Sequence, residues 1–352
     1  MDVRLSDEQR ALRDSAARVV NSLAPRTVRD LDDLERADKL DAAVDASGWR
    51  ELRTAVDDGA PLASAVEAAL IAEELGRGPA DTAFLGPTLA AEFRRVAAAP
   101  TSGSLETVAF VPDLSALACA ADGALPSRAV AIDARGATSA LVLVPAPDGY
   151  LLAEVALPDT GTMVDLTRPV AAVEPAAVVP VPGQGRPITA EDLARWTSLG
   201  LALTCADLVG AMRGAVHLAS EYAKTRRQYG AAIGSFQAVQ HRLADAFVSL
   251  EGSRSIALHA AWSVDASPAS DALAAAAAAK AYCARAGRAV CEAAIQVHGG
   301  IGNTWECLAH LYLRRALLSS DILGGVGVNL ARVLEHHGIG EHHGIGSGHG
   351  LR

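Results

Sequence analysis

Apolar and polar positions recur with different periods along three stretches of the chain, and the period assigns each stretch its secondary structure. Residues 1–97 carry helical spacing. Ser6 with Gln9 three positions later fits a capping box, and Leu12, Ala16, Val19 and Val20 then share one face. A second helix is predicted over 63–75, stopping at Gly76, and PADTAFLGPTLAAEFRR reads as a turn and a further helix. Over 98–186 short apolar runs punctuated by Pro, Gly and Asp replace that spacing. Strands are predicted at 108–111, 129–132, 141–144 and 150–153, and Pro147-Asp148-Gly149 is a hairpin signal between the last two.

After Pro187 the helical period returns and holds to about residue 335. Thr189 and Asp192 open it with a box-like cap, followed by Leu199, Leu203, Ala206 and Gly210 at helical spacing. Ile233, Phe236, Val239, Leu243, Phe247 and Leu250 form the next stripe, behind an expected Ser235 N-cap. An Ala-rich helix over about 270–297 has side chains small enough to let neighbouring helices approach closely. The expected fold is mostly α with a small β domain. It divides into a helical N-terminal domain (1–97), a small, reduced middle β domain (98–186), a C-terminal four-helix-like bundle (187–335) and a His/Gly-rich tail (336–352). The tail repeats EHHGIG and holds five of the ten histidines. Without fixed geometry it is expected to be disordered rather than a metal site.

Composition narrows the function classes. The net charge of -10 and pI near 5.5 disfavour nucleic acid and anionic membranes as partners. No run of about 20 uninterrupted apolar residues stands out as a spanning helix, and the amino terminus lacks a signal-peptide core, so a cytoplasmic protein is expected. Five cysteines, none in a CxxC spacing, suggest neither disulfides nor zinc; Cys205, Cys283 and Cys291 read as buried thiols.

Two segments carry candidate chemistry. In YAKTRRQYGAAIGSFQAVQHRLAD a helix ends at Arg226 and Arg227, and a glycine-containing connection leads to the next helix. The arginines either bind a diphosphate beside fresh N–H donors or simply complement a helix C-terminus. In QVHGGIGNTWE, adjacent glycines beside Gln296 either admit a ligand to the backbone or stop a helix. His298 reads as a packed histidine rather than a base.

RRQYGAAIGSFQAVQHRLAD and QVHGGIGNTWECLAHLYLRR resemble, in order and separation, the two signatures of the acyl-CoA dehydrogenase family, and the helix–β–helix layout is similar too. The resemblance implies an FAD enzyme that removes an α-proton and a β-hydride from an acyl-CoA thioester, and passes electrons to an acceptor such as an electron-transferring flavoprotein. It implies that Arg226, Gln228, Tyr229, Gln237, Gln296, Gly299 and Gly300 hold the diphosphate–adenosine end of a neighbouring subunit's FAD.

The chain departs from the family pattern in two respects. Where a Thr-Glu-Pro-like flavin platform is expected, it has AFVPDLSA (109–116). Where the family places its catalytic glutamate, it has Gly200 at one position and Leu323 or Gly324 at the other. Asp207, two turns beyond Gly200, is either a displaced base or a paired structural carboxylate. Retention of the FAD grip without platform or base resembles one half of the actinobacterial two-gene enzymes of steroid side-chain breakdown. That likeness implies a homologous partner in a heterotetramer. A self-sufficient homotetramer and a flavin-free structural subunit are the alternatives.

Overall fold

The computed structural model describes residues 4–57, 59–158 and 164–339. Four helices come first: α1 (Asp7–Leu23), α2 (Leu34–Ala46), α3 (Ala65–Arg77) and α4 (Leu85–Val96). α1 opens on the Ser6–Gln9 capping box that its sequence predicts. α3 differs from expectation at both ends. Its capping box is Ser64 with Glu67, and it runs through Gly76 to Arg77, with Gly78 as its cap.

A six-stranded sheet follows, built from β1 (Glu106–Phe110), β2 (Ala129–Ala131), β3 (Ser139–Ala146), β4 (Gly149–Ala156), β5 (Ala171–Val173) and β6 (Val179–Pro180), in the order β5-β2-β1-β3-β4-β6. β3 and β4 pair from Ser139↔Ala156 to Ala146↔Gly149, which leaves Pro147-Asp148 as a two-residue turn. β1 runs parallel to β3 and the other pairings are antiparallel.

The bundle begins with α5 (Ala190–Thr225), 36 residues long, opened by the Thr189–Asp192 capping box. A two-strand ribbon, β7 (Arg227–Gln228) and β8 (Ala231–Ala232), leads to α6 (Gln237–Ala266), α7 (Ala269–His298), α8 (Ala309–Asp321) and α9 (Val326–His336). Ser235 is not the cap of α6. Its hydroxyl donates to the Ala232 carbonyl at 2.7 Å, and Phe236 holds the cap position without a side-chain bond. Ile233 therefore lies in a 3-10 turn, ahead of the helix it was expected to join. α9 continues through His336, whose ring lies 3.6 Å from Asp271, and the remaining tail lies almost wholly outside the described residues.

α5 is the axis of the molecule, flanked by α3, α6, α7 and α8. Close approach to α3 requires glycine. A Cβ on Gly76 would stand 2.5 Å from the Asp207 carbonyl oxygen, and one on Gly210 would stand 2.1 Å from that of Glu73. Gly76 is thus a packing residue inside the helix, and not its stop. At the other end of α5, Trp196 stacks on Phe93 of α4 at 4.1 Å and donates its indole N–H to the Leu89 carbonyl at 2.9 Å. By length and mean apolarity, 190–225 and 309–336 would each be long enough to cross a membrane, although charged residues interrupt both. The first is the buried bundle axis, with 89% of its most apolar window covered, and the second is broken between α8 and α9.

Candidate functional site

One end of the bundle gathers the two signature segments. α5 stops at Thr225, and the Arg226 N–H still bonds the Tyr222 carbonyl. Tyr229 (φ 50°) and Gly230 (φ 80°) then make the tight turn between β7 and β8, both in the left-handed region that a type I′ hairpin needs. The ribbon returns to α5 through the Ile233 N–H, which donates to the Arg226 carbonyl at 2.8 Å. α7 ends on Gly299 (φ 66°, ψ -144°), a backbone conformation suited only to glycine. His298 is buried, with Nδ1 2.8 Å from the Ala294 carbonyl, and its ring stacks on Tyr222 with centroids 4.6 Å apart. That stack ties the end of α5 to the end of α7.

Arg226, Gln228, Tyr229, Gln237, Gln296, Gly299 and Gly300 consequently lie at this end of the bundle, and all seven are exposed, Tyr229 by 97%. The side chains of Arg226, Gln237 and Gln296 make no hydrogen bond or ion pair among the described residues. Gln228 donates only to the Arg227 carbonyl, at 2.7 Å. A Cβ on Gly299 or Gly300 would meet nothing within 4 Å. The donor set is a guanidinium, three amides and open glycine backbone, which fits an anionic diphosphate and a nucleotide's polar edges.

Of the positions at which the resemblance expects a glutamate, Gly200 and Leu323 face each other, while a Cβ on Gly324, the alternative to Leu323, would meet Val328 at 2.7 Å. A Cβ on Gly200 of α5 would stand 2.4 Å from Cδ1 of Leu323, with the Leu89 methyls 3.6 Å away. Leu323 is 2% exposed and adopts φ 62°, costly for a leucine. The surroundings over-determine that conformation. The Leu323 N–H donates to the Leu114 carbonyl at 2.8 Å, and Arg332 donates to the Leu323 carbonyl at 2.7 Å. Lys280, wholly buried on α7, donates to the Ile322 carbonyl at 2.8 Å, to the Thr204 hydroxyl at 3.2 Å and to the Ser319 carbonyl. Leu114 belongs to the loop after β1, where the resemblance expects a flavin platform. That loop and the α8–α9 corner are therefore joined to each other, and hydrocarbon fills the space between Gly200 and Leu323.

Asp207 is a buried, fully paired carboxylate. Its Oδ1 accepts from Arg315 Nε at 2.8 Å and lies 2.7 Å from Arg315 Nη2. Its Oδ2 accepts from the Ser319 hydroxyl at 2.5 Å and lies 3.4 Å from Arg168 Nη1. Burial alone would raise its pKa, but the charges of Arg168 and Arg315 and the bonds from Ser319 and Arg315 outweigh it and hold the carboxyl below its ordinary value. A carboxylate held this way is a poor proton acceptor near neutral pH. Its role is to join α5 to α8 and, through Arg168 and Asp165 at 3.1 Å, to the segment before β5. Arg168 and Arg315 could not be read from the sequence as its partners, because the cluster forms across 39 and 108 positions of chain. The signal for Lys280 was present, as a single ammonium inside an Ala-rich helical run. Among the described residues no group of three or more His, Cys, Asp or Glu could hold a metal, and Cys205, Cys283 and Cys291 are buried free thiols.

Residues 198–336 match the family model for the acyl-CoA dehydrogenase C-terminal domain. Over 338 residues the chain is 31% identical to the acyl-CoA dehydrogenase IpdE2 of Mycobacterium tuberculosis, covering 90% of this chain and 93% of the relative. The chain belongs to the acyl-CoA dehydrogenase family. It is thus a member of an oxidoreductase family whose cofactor is FAD. The fold agrees with that of a Tcur3481-Tcur3483 steroid acyl-CoA dehydrogenase variant, at TM-score 0.76, 22% identity and coverage of 94% of this chain and 98% of that one. It agrees similarly with a chain of the ChsE4-ChsE5 complex from Mycobacterium tuberculosis, at TM-score 0.73, 23% identity and coverage of 96% and 99%.

Proposed function

We propose that this family member works as one half of a heteromeric acyl-CoA dehydrogenase, completing an FAD site whose catalytic base belongs to a homologous partner subunit. The observation that carries this reading is the packing of Leu323 on Gly200. None of Gly200, Leu323 and Gly324 carries a carboxylate, and the Leu323 side chain fills the space a side chain at Gly200 would need, while the diphosphate-type donors at the bundle end face outward. FAD, when bound, accepts the hydride that leaves the acyl β-carbon.

This chain's residues bind and orient. Arg226 offsets diphosphate charge, Gln228, Gln237 and Gln296 hydrogen-bond the nucleotide end, Gly299 and Gly300 leave room for it, and Tyr229 offers a ring face. No residue at Gly200 or Leu323 can take the α-proton. The same bundle leaves large apolar side chains uncovered in the single chain, including Phe247 (53%) and Val248 (69%) on α6 and Trp305 (59%), as expected where a homologous bundle docks. The names of the two similar structures, one a complex of two gene products and one a steroid enzyme, favour a mixed assembly acting on a steroid-borne acyl chain. Electrons would leave through an electron-transferring flavoprotein. The test is Arg226→Ala in the assembled complex. Flavin retained after gel filtration should fall at least tenfold, and unchanged flavin content would remove Arg226 from the site.

A further inference from the structure

We propose that the cleft between α1, α3 and α6 is a second small-molecule site, built for an amphipathic carboxylate with an alkyl tail. The cleft encloses about 480 Å³, within the ~300–1,000 Å³ usual for small-ligand pockets. It shares no residue with the exposed cluster around Arg226 and does not depend on the flavin-sharing reading.

Its floor is apolar. Ala69 and Leu70 of α3, Ala206 of α5 and Ala257 of α6 line it, each no more than 5% exposed. Three of these four are alanines, and their truncated side chains leave the hollow that larger residues would close. The rim has the opposite character. Arg4, Arg10, Arg13 and Arg254 line it against a single acidic residue, Glu73, in a chain whose net charge is -10. Glu73 is already committed, because Arg213 donates to its Oε1 at 2.5 Å. Arg254 reaches that carboxylate only at 3.6 Å and makes no hydrogen bond among the described residues. Arg10 and Arg13 pair with Asp7 and Asp14, which are 93% and 58% exposed and hold a guanidinium weakly, and Arg10 also donates to the Leu5 carbonyl at 2.7 Å.

A buried aliphatic floor beneath a guanidinium rim selects both parts of the ligand. The floor rewards an alkyl tail removed from water, and the rim rewards a carboxylate, which a guanidinium can grip through two parallel bonds. A thioester or alcohol head of the same length satisfies the floor and leaves the rim unmatched.

The probe is dodecanoate, titrated calorimetrically into the full chain in its native assembly, with dodecanol as the uncharged control. Saturable dodecanoate binding is expected, at least tenfold tighter than dodecanol. Arg254→Ala should weaken it about tenfold, and Ser255→Trp, placed at the exposed mouth of the cleft, should abolish it, both with flavin content unchanged. Absence of saturable binding to the wild type, equal binding of dodecanol, or binding indifferent to both substitutions would overturn the proposal.

Discussion

Asp207→Asn separates a structural carboxylate from a catalytic one. The substitution keeps the shape of the side chain and removes its charge. Arg168 retains Asp165 at 3.1 Å. Arg315 keeps the Ala80 carbonyl and the Thr167 hydroxyl, each at 2.9 Å, but loses the carboxylate it pairs with. The result is a guanidinium 3% exposed without a counter-charge. Breaking one side of such a buried pair costs about 3–5 kcal/mol, and urea unfolding of the assembled complex should register that loss as a lower midpoint. The pH dependence has a definite sign. Asp207 titrates below its ordinary value in the folded chain, so its contribution is complete above the unfolded carboxyl pKa of about 3.9 and disappears as pH falls through the folded one. The gap between wild type and variant should stay constant from about pH 8 to 5 and narrow below about pH 4. A variant as stable as wild type but devoid of turnover would refute the structural assignment and restore Asp207 as a base.

Gly200→Ala should destabilise by about 1–3 kcal/mol through overpacking against Leu323, and Leu323→Ala should reverse much of that loss in the double variant; strictly additive midpoints would contradict the packing. Leu323→Glu should leave the isolated chain inactive in enoyl-CoA formation, and measurable turnover would show that the base position is still served by an acyl site. Burial lowers the Lys280 pKa to about 8, against about 10.4 for an unfolded lysine. Below pH 8 the cost of its buried charge is complete. Between about pH 8 and 10 the unfolded chain holds the proton and the folded one releases it, so wild type should gain stability relative to Lys280→Met as pH rises. Urea midpoints at pH 7 and pH 9.5 check this, and an unchanging difference would count against the titration.

Local chemistry was legible in the sequence wherever a feature needs only a few neighbouring residues. The Ser6–Gln9 and Thr189–Asp192 boxes and the Pro147-Asp148 turn formed as their spacing predicts, because each is a contact over two or three positions. Gly76 misled because a glycine that stops a helix and one that admits a neighbouring helix look alike until the neighbour is known. The α6 stripe misled for a related reason. Periodicity reports a one-sided helix without saying which protein covers that side, and Phe247 is 53% exposed in the single chain. The ion cluster around Asp207 and the contact of Leu323 with Gly200 were illegible for a different cause, since each depends on a contact between residues more than 100 positions apart. The missing glutamates were legible in the sequence, whereas the filling of the space at Gly200 by Leu323 is visible only in the fold.

The central claim is tested most directly by the visible absorbance and native mass of the chain purified alone and again after co-expression with a homologous acyl-CoA dehydrogenase subunit. Flavin absorbance is expected only in the mixed assembly, at one FAD per unlike pair. A yellow homo-oligomer of this chain alone, bleached on addition of an acyl-CoA, would contradict it.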